Sequence, residues 1–128
     1  MKLSDGYSTG TFDPSPYRDG WKKRSREVQK RIEERFARVQ EFLPELIRSF
    51  LAIDPELQKI ILFGSLARGM PKREDFDIDI GVRSDRYFAL VGWALRQEWK
   101  IDVVDLDSIS ESFLEDIESK GVVLYEKN

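Results

Sequence analysis

Ile61-Leu62-Phe63-Gly64-Ser65-Leu66-Ala67-Arg68-Gly69, followed after a polar loop by Asp77-Ile78-Asp79-Ile80-Gly81-Val82, is the stretch on which the reading of this chain turns. The run from Lys59 to Phe63 has the length and β-branched content of a buried strand. Asp77 to Val82 alternates strictly, as a half-buried strand does. Between them, Gly64-Ser65 leads into a short helical turn over Leu66 to Gly69. Gly64 lacks a Cβ, so the backbone there can approach an anion closely, and the free N–H groups of the following turn would point at it. The Ser65 hydroxyl can donate one more hydrogen bond. Alone, Gly-Ser is a very weak signal, and an ordinary strand-to-helix turn is the better reading of it. The aspartates change that.

Residues i and i+2 of a strand point to one face, so Asp77 and Asp79 project together while Ile78 and Ile80 face a helical layer. Adjacent carboxylates repel, and a hard divalent cation such as magnesium removes the repulsion by binding carboxylate and phosphate oxygens together. A solvated edge strand would also show Asp-Ile-Asp, so the pair by itself leaves both readings open. A third carboxylate lies on the next predicted strand, Lys100 to Leu106. Asp102 and Asp105 there have opposite parity, so only one of them can face the pair. Helix-then-strand geometry favours Asp102, with Asp105 as the alternative. Three carboxylates are what two-metal phosphoryl transfer requires.

Outward from this centre, residues 1–20 are rich in Gly, Ser, Asp and Pro and read as an extended, partly disordered arm. From Trp21 to about residue 52 the pattern is helical, with Val28, Ile32, Phe36, Val39 and Leu43 at steps of three and four. Pro44 is expected to kink or restart this helix. Ser84 is placed to cap a helix through Gln97, with Phe88, Val91 and Leu95 on its apolar face. Ser108 and Glu111 have capping-box spacing for a last helix closed by Gly121, and Val122 to Tyr125 reads as a final strand. The alternation predicts one α/β domain over residues 21–128, a small sheet with helices packed on one face, carrying an N-terminal helical extension over 21–52. Strand order is not legible in the pattern.

Composition narrows the chemistry. The chain has 128 residues and neither cysteine nor histidine, which excludes thiolate sites and the usual general base and leaves carboxylates, hydroxyls, Lys and Arg. A formal net charge of −3 argues against a broad nucleic-acid-binding face. No apolar run is long enough to span a bilayer and the N-terminus has no signal-peptide core, so a cytoplasmic protein is expected.

With Gly64-Ser65, Ala67-Arg68-Gly69, Asp77-x-Asp79 and Ile101-Asp102-Val103 in place, the sequence resembles the minimal nucleotidyltransferases of the DNA polymerase beta superfamily. The resemblance spans Leu57 to Tyr125, and its spacer from Leu66 to Phe76 is one residue longer than the commonest form. It implies a palm-like mixed sheet. It also implies that Gly64 and Ser65 bind the triphosphate, that Asp77 and Asp79 are the metal-binding pair, and that Asp102 is the third carboxylate. Arg68 belongs to the signature as a phosphate contact or a structural ion pair; Lys72 and Arg73 lie in the spacer loop and could neutralise phosphate, with a solvated loop the simpler reading. The implied cofactors are two magnesium ions, with an NTP, ATP by preference, as substrate.

Larger relatives carry a helical domain that binds the acceptor, and these residues leave no room for one. Either a second subunit, such as another copy in a homo-oligomer, completes the site, or the acceptor is itself a protein. Minimal nucleotidyltransferases often accompany a HEPN-domain toxin, which they neutralise by attaching AMP to a tyrosine. The resemblance therefore implies an antitoxin adenylyltransferase. The competing reading is an inert module that masks a partner with its long helix; the intact carboxylates and Gly-Ser favour the enzyme.

Overall fold

The computed structural model describes residues 15–128, with side chains from residue 24 onward. Most of the predicted arm, residues 1–14, lies outside that range. The remainder of it is helical, because α1 begins at Ser15 and runs to Ile53. Pro44 neither breaks nor restarts this helix. It and Gln40, whose carbonyl loses its amide partner, are both exposed, so water takes the orphaned acceptor. Val39 on one side and Leu46 and Phe50 on the other are fully buried and hold both turns to the body.

The sheet has four strands in the order β3-β2-β1-β4: β1 Lys59–Phe63, β2 Ile78–Arg83, β3 Ile101–Asp105 and β4 Val122–Glu126. β1 pairs antiparallel with β2 and β4, whereas β2 and β3 are parallel, so the sheet is mixed. The parallel pair requires a crossover, and α2, Tyr87–Leu95, provides it. Strand alternation separates two apolar layers. Ile60, Leu62, Ile78, Ile80, Val82 and Ile101 face α1 and α2 in the main core. Ile61 faces the other way and packs with Leu106 and Ile117 under α3, Glu111–Lys120. The one-face packing thus holds for α1 and α2, and α3 lies on the opposite face.

Two local expectations are corrected. The buried face of α2 is Leu90 and Ala94, while Phe88 and Leu95 are 85% and 78% exposed. Periodicity registers which residues share a stripe but not which stripe meets the core when apolar residues occur all round a short helix. Ser84 does not cap α2; its hydroxyl donates to Asp54 at 2.6 Å, and Asp54 also accepts from the Glu56 amide, tying the end of α1 to the β2–α2 loop. The cap of α3 is Ser110, accepting from the Phe113 amide at 3.2 Å, while Ser108 donates to Asp105.

α1 also reaches the residues that lead into the central strands. Phe76 stacks on Trp99, Trp99 meets Phe42, and Phe42 stacks on Trp93. The Arg35 guanidinium lies over Trp99 and Phe76, at 4.8 and 5.4 Å from the ring centres. Phe76 and Trp99 directly precede Asp77 and Lys100, so this column sets where β2 and β3 begin.

Candidate active site

β2 and β3 pair in parallel with Asp79 opposite Asp102, and register partners in a sheet share a face. Both project away from α1 and α2. α3 covers this second face only near β1, where Phe113 meets Phe63 edge-on, leaving the carboxylates open on the β2/β3 side. Asp77, two residues before Asp79 and just ahead of β2, shares their parity. Asp105 is held elsewhere: its carboxylate accepts from the Asp107 amide and the Ser108 hydroxyl. The structure thus brings Asp77, Asp79 and Asp102 to one patch and leaves Asp105 at the end of β3, its carboxylate engaged by the turn that follows.

Gly64 enters the same patch from the end of β1. Its φ is +75°, a conformation that side-chain-bearing residues rarely adopt. A Cβ built there would collide with the Asp79 carboxylate, lying 3.1 Å from its Cγ and closer still to Oδ2. The glycine read as an approach for phosphate therefore also makes room for a carboxylate. The helical turn after it is a five-residue 3-10 helix, Gly64–Arg68, too short for a sizeable dipole. Anion binding here must rest on loop N–H groups and on basic side chains.

Those side chains line a groove of about 710 Å³ that opens beside the carboxylates, with Ser65, Arg68, Lys72, Arg73 and Lys100 on its walls and Asp77 at its edge. Met70 and Pro71 add apolar surface. Arg68 has no ion-pair partner among the described residues, whereas Arg73 is paired with Asp75 at 3.1 Å on the surface. Lys72 and Arg73 are exposed in the spacer loop, as expected, and border the groove from there. Lys100 is the residue that the sequence reading passed over. Its Nζ stands 3.5 Å from Asp77 Oδ2. The signal was available, since Lys100 and Asp102 are two apart on the strand predicted from Lys100 to Leu106.

The crowding of acids has an electrostatic signature. The Asp79 carboxyl is raised to about 6, first by burial, then by the charges of Asp102 and Asp77, and then by a hydrogen bond that its protonated form donates to Asp102; Lys100 partly offsets this. Such a group is costly as an anion unless a cation joins it. Among the described residues no three acidic side chains form a ready-made metal cage. Magnesium does not need one: it binds one or two carboxylates and takes its remaining ligands from water and substrate phosphates. The donor set is all oxygen and anionic, which fits that ion.

The polymerase beta nucleotidyltransferase family model matches residues 45–128, about two thirds of the chain. The chain belongs to this family. In structure it is similar to a toxin–antitoxin complex determined with AMP-PNP (29% identity, TM-score 0.53, covering 66% of this chain and 73% of that one). It is also similar to two structures of mutant MntA-HpeT toxin–antitoxin complexes, each at 27% identity. Their TM-scores are 0.52 and 0.51, with coverage of 70% and 64% of this chain and 73% and 71% of those. No curated protein matches the sequence. As in the sequence reading, the nucleotidyltransferase fold is a mixed sheet preceded by a long helix, and no described helix is long and apolar enough to cross a membrane.

Proposed function

We propose that this nucleotidyltransferase transfers AMP from ATP to a hydroxyl of a partner protein, a HEPN-type toxin with an acceptor tyrosine, and so acts as an antitoxin. The observation that carries the proposal is Asp79 beside Asp102, seated against Gly64, with Asp77 of the same patch bordering a groove lined by Arg68, Lys72, Arg73 and Lys100. The similarity to a toxin–antitoxin structure holding AMP-PNP supports both the nucleotide and the setting. The cytoplasm, where ATP is abundant, is the compartment that suits this reaction.

In this reading the groove holds the triphosphate through Ser65 and the cations Arg68, Lys72, Arg73 and Lys100. Asp77, Asp79 and Asp102 would hold magnesium, which when bound neutralises phosphate charge and lowers the acidity barrier of the acceptor hydroxyl. The hydroxyl oxygen forms a bond to the α-phosphorus, the bond from that phosphorus to the bridging oxygen breaks, and pyrophosphate departs. Asp102, exposed on the open side of the pair, accepts the hydroxyl proton. Asp79, half-buried behind it, fixes the geometry.

The test is incubation with α-labelled ATP, magnesium and a candidate HEPN-domain partner protein. Label on a partner tyrosine, lost in the Asp77→Asn/Asp79→Asn variant, is the expected result. An unlabelled partner that the double variant still neutralises would establish masking in place of catalysis.

A further inference from the structure

Lys100 stands one residue ahead of the Ile78–Ile101 register pair, and its carbonyl accepts the Ile78 amide at 2.9 Å. Its backbone is therefore pinned beside Asp77, on the face that carries Asp79 and Asp102. The four side chains form a two-by-two patch in which Lys100 is the sole cation. Its ammonium contacts Asp77, yet the side chain is 74% exposed and lines the groove, whereas Asp77 is 33% exposed. A pair this exposed is weak, so a long, tethered ammonium leaves it easily.

Building on the nucleotidyltransferase reading, we propose that Lys100 is a substrate-contacting residue that exchanges partners. It neutralises Asp77 until a triphosphate enters the groove, then moves to the phosphate oxygens and releases Asp77 to the divalent cation. Two further observations agree. Asp77 lies in one patch with Asp79 and Asp102, and Lys100 is the cation that contacts it there. Lys100 also reaches both the acids and the groove wall shared with Ser65 and Arg68. The arrangement makes Lys100 a competitor of the metal and a ligand of the substrate, and these two roles have opposite signs when the charge is removed.

The experiment is calorimetric titration of wild type, Lys100→Gln, Lys100→Arg and Lys120→Gln with Mn²⁺ alone and with inorganic tripolyphosphate alone. Lys120 pairs with Asp116 on α3 and serves as the control. Lys100→Gln should bind Mn²⁺ about threefold tighter and tripolyphosphate about tenfold weaker, the latter being one charge-assisted contact. Lys100→Arg should recover most of the tripolyphosphate affinity, and Lys120→Gln should match wild type. If Lys100→Gln leaves both affinities unchanged, or moves both the same way, the exchange is refuted. Binding of a magnesium–ATP analogue is measured alongside. Wild-type binding that Lys100→Gln retains in full removes this role and leaves the nucleotidyltransferase reading standing; a wild type that binds no nucleotide overturns both.

Discussion

The carboxylate of Asp79 fills the space that a side chain on Gly64 would need. Two motifs twelve or more residues apart in sequence are thereby one steric unit: the strand-end glycine makes room for the aspartate. Gly64→Ala adds a clash to a left-handed backbone, and should cost roughly 1–3 kcal/mol while displacing Asp79. Gly69 also has positive φ, at +113°, but has open space around it. Thermal unfolding together with magnesium–ATP-analogue binding should show Gly69→Ala losing stability alone and Gly64→Ala losing both. Equal effects on binding would refute the coupling.

The raised pKa of Asp79 makes a pH prediction. Because its folded-state value is near 6, above the ordinary aspartate value, the folded protein favours the protonated form. The associated stability is fully present below the unfolded value near 4 and is lost as pH rises through 6. A shift of about two units would correspond to roughly 3 kcal/mol, and solvent screening of this half-exposed group reduces it to about 1. In chelator, Asp79→Asn should therefore melt higher than wild type at pH 7.5 and no higher at pH 4. A variant that melts lower at pH 7.5 would show that the anion is better compensated than its neighbours suggest.

Asp102 and Asp105 should separate cleanly. Asp102→Asn is expected to keep nucleotide binding and lose at least about a hundredfold in transfer rate, as removal of a general base does. Asp105→Asn touches only the turn that holds Asp107 and Ser108, and should lower stability by about 1 kcal/mol with transfer intact. Single-turnover labelling and denaturant unfolding of both variants decide the matter; loss of transfer in Asp105→Asn would exchange their roles.

The orientation of α2 is testable by core truncation. Leu90→Ala should destabilise by about 2–4 kcal/mol, because Leu90 is fully buried. Phe88→Ala, at a position 85% exposed, should change stability by less than about 0.5 kcal/mol. The reverse order in urea unfolding would return Phe88 to the core.

Much of this molecule was legible without coordinates. Strand parity put Asp77 and Asp79 on one side of their strand and allowed only one of Asp102 and Asp105 beside them, and the apolar run before Gly64 marked β1, because side-chain alternation and burial are local properties of an extended chain. The same parity would have exposed Lys100, had charge of the opposite sign been sought beside the acids. What stayed illegible were properties that depend on neighbours distant in sequence. Local pattern could not say whether Phe88 or Leu90 meets α1, whether Ser108 or Ser110 caps α3, or that α3 lies on the far face.

By itself, then, the sequence determined which residues carry charge, which alternate, and which family they belong to, since these follow from residue type and spacing. Only the tertiary structure decided that Asp79 lies against Gly64 and opposite Asp102, that Lys100 holds Asp77, and that the groove beside them is basic. Those are through-space distances, set by sheet register and by the packing of α1 against Phe76 and Trp99, and no one-dimensional spacing encodes them.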